Sequence, residues 1–198
     1  MSCRLRPDAC IGGGCCRASD VEPPVSRRAL ASLIAVASLG LAMLAVFRGQ
    51  KTWVAPDFTL QDLGGNTLRL SDFRGEVVVV NVWTTWCEPC RVEMPSMEVL
   101  YRRLRDEGLV MLAVSADANG REAVESFVRK LGLTFTILLD PDGVVPSRYG
   151  TTGYPETFIV DRDGRVVAHE VGPRDWSEAR FERALRGLME SGTYERPS

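Results

Sequence analysis

Apolar and polar residues are arranged in two different ways on either side of about residue 50. Before it, Ala29 to Phe47 form a single uncharged run of nineteen residues, dominated by Ala, Leu, Val and Ile and flanked by Arg28 and Arg48. As a helix this run would be roughly 28 Å long at ~1.5 Å per residue, close to the hydrocarbon thickness of a bilayer. Beyond residue 50, short apolar runs alternate with amphipathic stretches. Val77–Trp83 is a run of β-formers unbroken by charge, which predicts a central parallel strand covered on both faces. Leu109–Val114 and Phe135–Leu139 predict two more buried strands, the latter ended by Pro141-Asp142-Gly143. Hairpins are predicted for Phe58–Leu60 with Thr67–Leu70, around Gly64-Gly65-Asn66, and for Thr157–Val160 with Arg165–Val171, around Asp161–Gly164.

Helical spacing appears three times. Arg91 to about Arg105 places Val92, Met94, Met97, Leu100, Tyr101 and Leu104 on an apolar face, with Pro95 predicting a kink. Glu122–Leu131 turns Ala123, Phe127, Val128 and Leu131 inward, and Ser177–Glu190 does the same with Phe181, Leu185, Leu188 and Met189. Strands alternating with helices, then a hairpin and a last helix, predict an α/β sandwich with a mixed sheet.

Charge follows the same division. Up to Thr52 there are seven Lys/Arg against three Asp/Glu, about +4; beyond it seventeen against twenty-three, about −6, for −2 overall. An acidic domain argues against nucleic acid as a partner. The expected organisation is a disordered cytoplasmic N-terminus (1–28), a transmembrane signal-anchor (29–47), a linker (48–56), a folded domain (57–191, its first strand-forming residues from about Trp53) and a flexible tail (192–198). A cleaved signal peptide shares the basic-then-apolar order, but no Ala-x-Ala or Leu-x-x-Cys site ends the run, which favours an uncleaved anchor. The basic residues Arg4–Arg28 then stay inside and the domain lies outside.

Six cysteines fall into two groups. Cys3, Cys10, Cys15 and Cys16 precede the apolar run; a metal site there is a poor match in spacing, and initiation downstream near Val21 or Val25 would remove all four. Cys87 and Cys90 stand at the junction of the Val77–Trp83 strand with the following helix, with Pro89 suited to its first turn. Unpaired N–H groups and the positive dipole end at a helix start favour a thiolate, and two cysteines three apart can close and reopen a disulfide. This is the reading of a redox pair, against half of a zinc site or two inert core cysteines. No metal ligand is assigned, since His169 lies in a predicted strand away from the pair.

Trp86-Cys87-Glu88-Pro89-Cys90 at a strand-to-helix junction, Pro95, and the later Gly153-Tyr154-Pro155-Glu156-Thr157 resemble the thioredoxin fold. The extra N-terminal hairpin, the strand–helix insert around Leu109–Leu139, and the string from Pro155 to Gly164 narrow the likeness. Together they resemble the TlpA/ResA/CcmG-type membrane-anchored thiol–disulfide oxidoreductases, over about Trp53 to Met189. The resemblance implies a domain on the periplasmic or extracytoplasmic side of a bacterial inner membrane. It implies a dithiol reductant in cytochrome c or copper-oxidase maturation or general periplasmic thiol reduction, with no cofactor beyond the Cys87–Cys90 disulfide. Its partners would be disulfide-bearing proteins, apocytochrome c or copper-site assembly proteins among them, and a membrane electron donor. By the same resemblance Pro155 is a cis-proline whose loop pairs with an incoming peptide.

Cys87, nearer the helix start, is the expected attacking thiol and Cys90 the resolving one. Trp83 is read as core. Trp86, Glu88, Pro89, Tyr154, Pro155 and Glu156 are the expected rim, Glu156 being equally readable as a surface charge. Glu88 opposes the helix dipole and should keep Cys87 from becoming strongly acidic. Glu93 lies three residues past Cys90 on the same helix face; it is either a solvated glutamate or, as the ResA-type Cys-Glu-Pro-Cys-x-x-Glu pattern implies, a buried proton acceptor. His169 is read as a strand residue without chemistry. Two other functions compete. The Phe-Thr-Leu and Leu-Ser-Asp-Phe-Arg-Gly segments are similar to peroxiredoxins, though Val80 stands where their active-site proline would be. A copper chaperone of this fold would use Cys-x-x-x-Cys with a histidine, whereas this chain has Cys-x-x-Cys.

Overall fold

The computed structural model describes residues 52–118 and 120–197. The expected N-terminus and anchor lie outside them, and no helix among the described residues is long and apolar enough to cross a membrane. In chain order the elements are β1 (Trp53–Val54), β2 (Thr59–Asp62), β3 (Thr67–Arg69), β4 (Val77–Trp83), α1 (Glu88–Leu104), β5 (Leu109–Ser115), α2 (Arg121–Leu131), β6 (Thr136–Leu139), α3 (Val144–Tyr149), β7 (Glu156–Val160), β8 (Arg165–Val171) and α4 (Ala179–Ser191). All eight strands join one mixed sheet in the order β1-β8-β7-β4-β5-β6-β2-β3. The β4–β5 and β5–β6 pairs are parallel, and β7 runs antiparallel to both β4 and β8. The β2–β3 hairpin attaches at the far edge, through antiparallel pairing of β2 with β6.

β4 lies at the middle of this sheet, buried at all seven positions, because both of its faces are covered. Its odd residues Val77, Val79 and Trp83 enter the core beneath α1, α2 and α4, with Met94, Met97, Leu100, Val124, Phe181 and Leu185. Its even residues Val78, Val80 and Val82 enter a second core on the other face, with Phe58, Leu112, Leu138, Val145 and Phe158. The period of two along the strand thus sorts side chains into two layers.

Several expectations are corrected. Val92 is 70 % exposed and lies off the buried face of α1, which runs through Cys90, Glu93, Met94 and Met97. On α2 the buried residue is Val124, with Phe127, Val128 and Leu131 packed beside it and Ala123 exposed. The stripe 124–127–128–131 keeps i, i+3, i+4, i+7 spacing, which Ala123 does not. The expected linker is partly inside the fold: Trp53–Val54 pair with Val166 and Arg165 of β8, and Ala55 is buried. The expected tail also packs, since Tyr194 sits against the core beneath α4. The helix α3, a segment given no element from the sequence, forms because Asp140 accepts hydrogen bonds from the backbone N–H groups of Val144 (2.9 Å) and Val145 (2.8 Å), two of the donors a helix start leaves open.

Candidate active site

α1 begins at Glu88, three residues before the expected Arg91, because Cys87 itself is the N-cap and Pro89 fits the first turn. The Cys90 N–H donates to Cys87 Sγ at 3.2 Å, and Cys87 N–H donates to the Thr84 carbonyl at 3.3 Å. Cys87 and Cys90 form a disulfide, with an S–S distance of 2.06 Å. Cys87 is 5 % exposed and Cys90 1 %, so what little of the pair reaches the surface belongs to Cys87.

Cys87 lines a groove of about 480 Å³ with Trp86, Glu88, Pro89, Thr152, Gly153 and Tyr154. The expected rim residues therefore meet here, brought by two segments far apart in sequence. Trp86 is 65 % exposed and stands edge-on to Tyr154 with ring centroids 5.8 Å apart. The Tyr154–Pro155 peptide is cis, as the resemblance implies. Glu88 is 78 % exposed, with the Arg91 guanidinium 3.6 Å away, so solvent screens its charge. Its expected leverage on Cys87 is correspondingly small.

Glu93 is 2 % exposed, which removes the solvated-glutamate reading. The indole Nε1–H of Trp176 donates to Glu93 Oε1, while Glu93 Oε2 is buried with no hydrogen-bond partner among the described residues. Burial raises its pKa to about 7, against the lowering effects of the Trp176 and Arg174 hydrogen bonds and the Arg174 charge. Glu98, farther along the same helix, is 7 % exposed yet shifted the other way. Burial pushes its pKa up too, but bonds from Thr134 Oγ1 (2.6 Å) and N–H (2.8 Å), with the Arg102 guanidinium, hold it below the usual carboxylate range. Two carboxylates on one helix thus titrate apart because burial outweighs the donors at Glu93 and the donors outweigh burial at Glu98.

Glu156 is also buried, at 1 % exposure, so it is neither a surface charge nor an open rim residue. Its Oε1 accepts from Thr152 N–H (2.7 Å), Thr152 Oγ1 (2.9 Å) and Gly153 N–H (3.1 Å), and Oε2 lies 2.7 Å from His169 Nε2. Burial works to raise its pKa, but these four bonds outweigh it and keep the carboxyl below its ordinary value. The sequence reading assigned His169 no chemistry; the partner that gives it one lies thirteen residues away across a hairpin.

Asp117 is the other residue the sequence reading missed. It is 3 % exposed at the carboxyl end of β5, where it accepts from Thr85 N–H (2.8 Å), Thr85 Oγ1 (2.6 Å) and Ser115 Oγ (2.7 Å). The turn that carries Trp86 and Cys87 is thereby tied to the neighbouring strand. Asp117→Ala leaves Thr85 N–H unpaired, and we expect a stability loss of about 2 kcal/mol with a roughly tenfold slower disulfide exchange. Thermal melts and exchange kinetics on the same sample check this; unchanged kinetics would show that the turn holds its shape without the tether.

Residues 53–169 match the AhpC/TSA family. The chain is 41 % identical over 144 residues to thiol-disulfide oxidoreductase ResA of Geobacillus thermodenitrificans, covering 70 % of this chain and 82 % of that protein. It is 35 % identical over 140 residues to ResA of Bacillus subtilis, covering 68 % and 78 % respectively. Among solved structures, a putative thiol:disulfide interchange protein DsbE from Chlorobium tepidum superposes with a TM-score of 0.64 at 35 % identity, over 71 % of this chain and 99 % of that one. With Cys87 and Cys90 at disulfide distance at the head of α1, the chain belongs to the AhpC/TSA family as a thioredoxin-like thiol–disulfide oxidoreductase.

Proposed function

We propose that this protein is an extracytoplasmic dithiol reductant, held at the bacterial inner membrane by residues 29–47 and acting on disulfides of proteins outside the cytosol. The observation that carries the proposal is Cys87 capping α1 at the wall of a groove that also presents Trp86 and the cis-Pro155 loop. Apolar Trp86 and Tyr154 suit an apolar neighbour of a client cysteine, and an extended client backbone suits the cis-proline loop.

In the reduced protein the Cys87 thiolate attacks one sulfur of the client disulfide and expels the other as a thiol, leaving a mixed disulfide. Cys90 then attacks Cys87 Sγ, releasing the second client thiol. Two electrons pass to the client, and the Cys87–Cys90 disulfide remains, which is the state of the present structure. Cys90 must lose its proton for the second step. Glu93, three residues on along the same helix and with its pKa raised to about 7, is the acceptor we assign to it. A membrane dithiol donor then reduces the pair again. Clients in cytochrome c or copper-oxidase maturation fit this chemistry, as do general extracytoplasmic thiols. A one-cysteine peroxidase does not need the bonded second cysteine, and a copper chaperone would need His169, whose Nε2 is engaged by Glu156.

Cys90→Ser in membranes tests this. Mixed disulfides through Cys87 should accumulate and identify the client, and a Cys87→Ser control should trap none. Equal yields from both variants would remove the exchange mechanism.

A further inference from the structure

His169 lies on β8 opposite Phe158 of β7, and the two rings stack with centroids 4.3 Å apart and planes 13° from parallel. Its side chain is 37 % exposed, whereas the Glu156 side chain it meets is 1 % exposed. A carboxylate only accepts, so the short Nε2–Oε2 contact requires the imidazole proton to sit on Nε2. The stack on Phe158 fixes the ring plane, and the hydrogen bond then fixes one oxygen of Glu156.

The other oxygen serves the groove. All three of its donors come from Thr152 and Gly153, which line the groove beside Trp86, Cys87 and Pro89. Two further residues bring the chain to the cis Tyr154–Pro155 bond, and the Pro155 carbonyl in turn accepts from Gly172 N–H at 2.9 Å, just past the end of β8. The wall opposite Cys87 is therefore hung on a single buried carboxylate, and that carboxylate is oriented from behind by His169.

We propose that His169 is a positioning residue for client recognition: through Glu156 it sets the Thr152–Gly153 wall against which an extended disulfide-bearing segment lies when it reaches Cys87. This rests on the disulfide-exchange reading above and adds to it a residue outside the groove lining. A wall misplaced by a fraction of an ångström costs a substrate that lies along it more than one that meets only the sulfur.

The test uses the full chain in detergent, with dithiothreitol as reductant and two oxidised substrates. One is a ten-residue peptide closed by a disulfide; the other is hydroxyethyl disulfide, which has no backbone to lie along the wall. His169→Phe keeps a ring over Phe158 but donates nothing at Nε2. His169→Gln places an amide N–H near the same point. For His169→Phe we expect the peptide KM to rise about fivefold with kcat changing less than about twofold, and the peptide kcat/KM to fall more steeply than that for hydroxyethyl disulfide. His169→Gln should recover most of the peptide KM. A wild-type peptide KM in His169→Phe, an equal loss on both substrates, or no recovery in His169→Gln would overturn the proposal. If the wild-type chain reduces neither substrate, the exchange reading itself fails, an outcome distinct from these three.

Discussion

Cys87→Ser should lower disulfide exchange by roughly 10³-fold or more, the largest effect of any single substitution in this chain. A serine hydroxyl at neutral pH supplies almost no anion, and the thiolate is the only species that attacks a disulfide at a useful rate. The position matters as much as the sulfur. Cys87 is the N-cap of a seventeen-residue helix, with its Sγ receiving the Cys90 N–H at 3.2 Å. The same donor and the positive end of the helix face the sulfur when the disulfide opens, and both favour the charged form. Cys90, at 1 % exposure, has the same flanking helix but no route to a client. The two serine variants should therefore differ in kind. Cys90→Ser completes the first attack and stalls as a mixed disulfide, whereas Cys87→Ser does not start. Single-turnover mixing of each reduced variant with a disulfide peptide, resolved by mass, reads this directly. Attack by Cys87→Ser at a rate comparable to wild type would assign the nucleophile to Cys90.

What the sequence made legible is what depends on local pattern. The β4 run, the β7–β8 hairpin and the Cys-x-x-Cys junction each declare themselves within about ten residues, and the boundaries found for β8 are those expected. The helical spacing is counted from Arg91 although Pro89 suits a first turn; with Cys87 as the N-cap, α1 starts at Glu88. Residues whose role comes from a distant partner were not legible. Glu93 is named through the resemblance alone, beside its reading as a solvated glutamate; nothing in the residues announces Trp176, eighty-three residues on, whose indole N–H donates to it. His169 and Glu156 stand thirteen residues apart on two strands, and only the antiparallel register brings their side chains together. Asp117 carried one usable signal: it follows a buried strand parallel to β4, and the carboxyl ends of such strands are where open α/β sheets build their sites.

Glu93 carries the second large effect, and its sign follows from the environment. The folded protein holds this proton up to about pH 7, while the unfolded chain releases it near 4.5. Between these values folding takes up a proton, so stability falls as pH rises. The contribution is full below about pH 4.5 and lost as pH passes through about 7. The total loss is about 3 kcal/mol, from 1.36 kcal/mol per pKa unit. Glu98 and Glu156 act the opposite way, their lowered values giving stability that is lost only as pH falls into the acid range. Comparing denaturant unfolding of wild type and Glu93→Gln at each pH between 4 and 9 isolates the Glu93 share, since the other groups are common to both. The difference should grow in favour of Glu93→Gln as pH rises and then level off above about 8. Trp176→Phe keeps an aromatic ring in the core but withdraws the donor that favours the carboxylate, so the midpoint of this difference should move upward. On the proposal that Glu93 receives the Cys90 proton, the same variant should shift the alkaline rise of the second exchange step in parallel. Parallel stability curves for wild type and Glu93→Gln would mean that Glu93 titrates like any exposed carboxyl and has no part in that transfer.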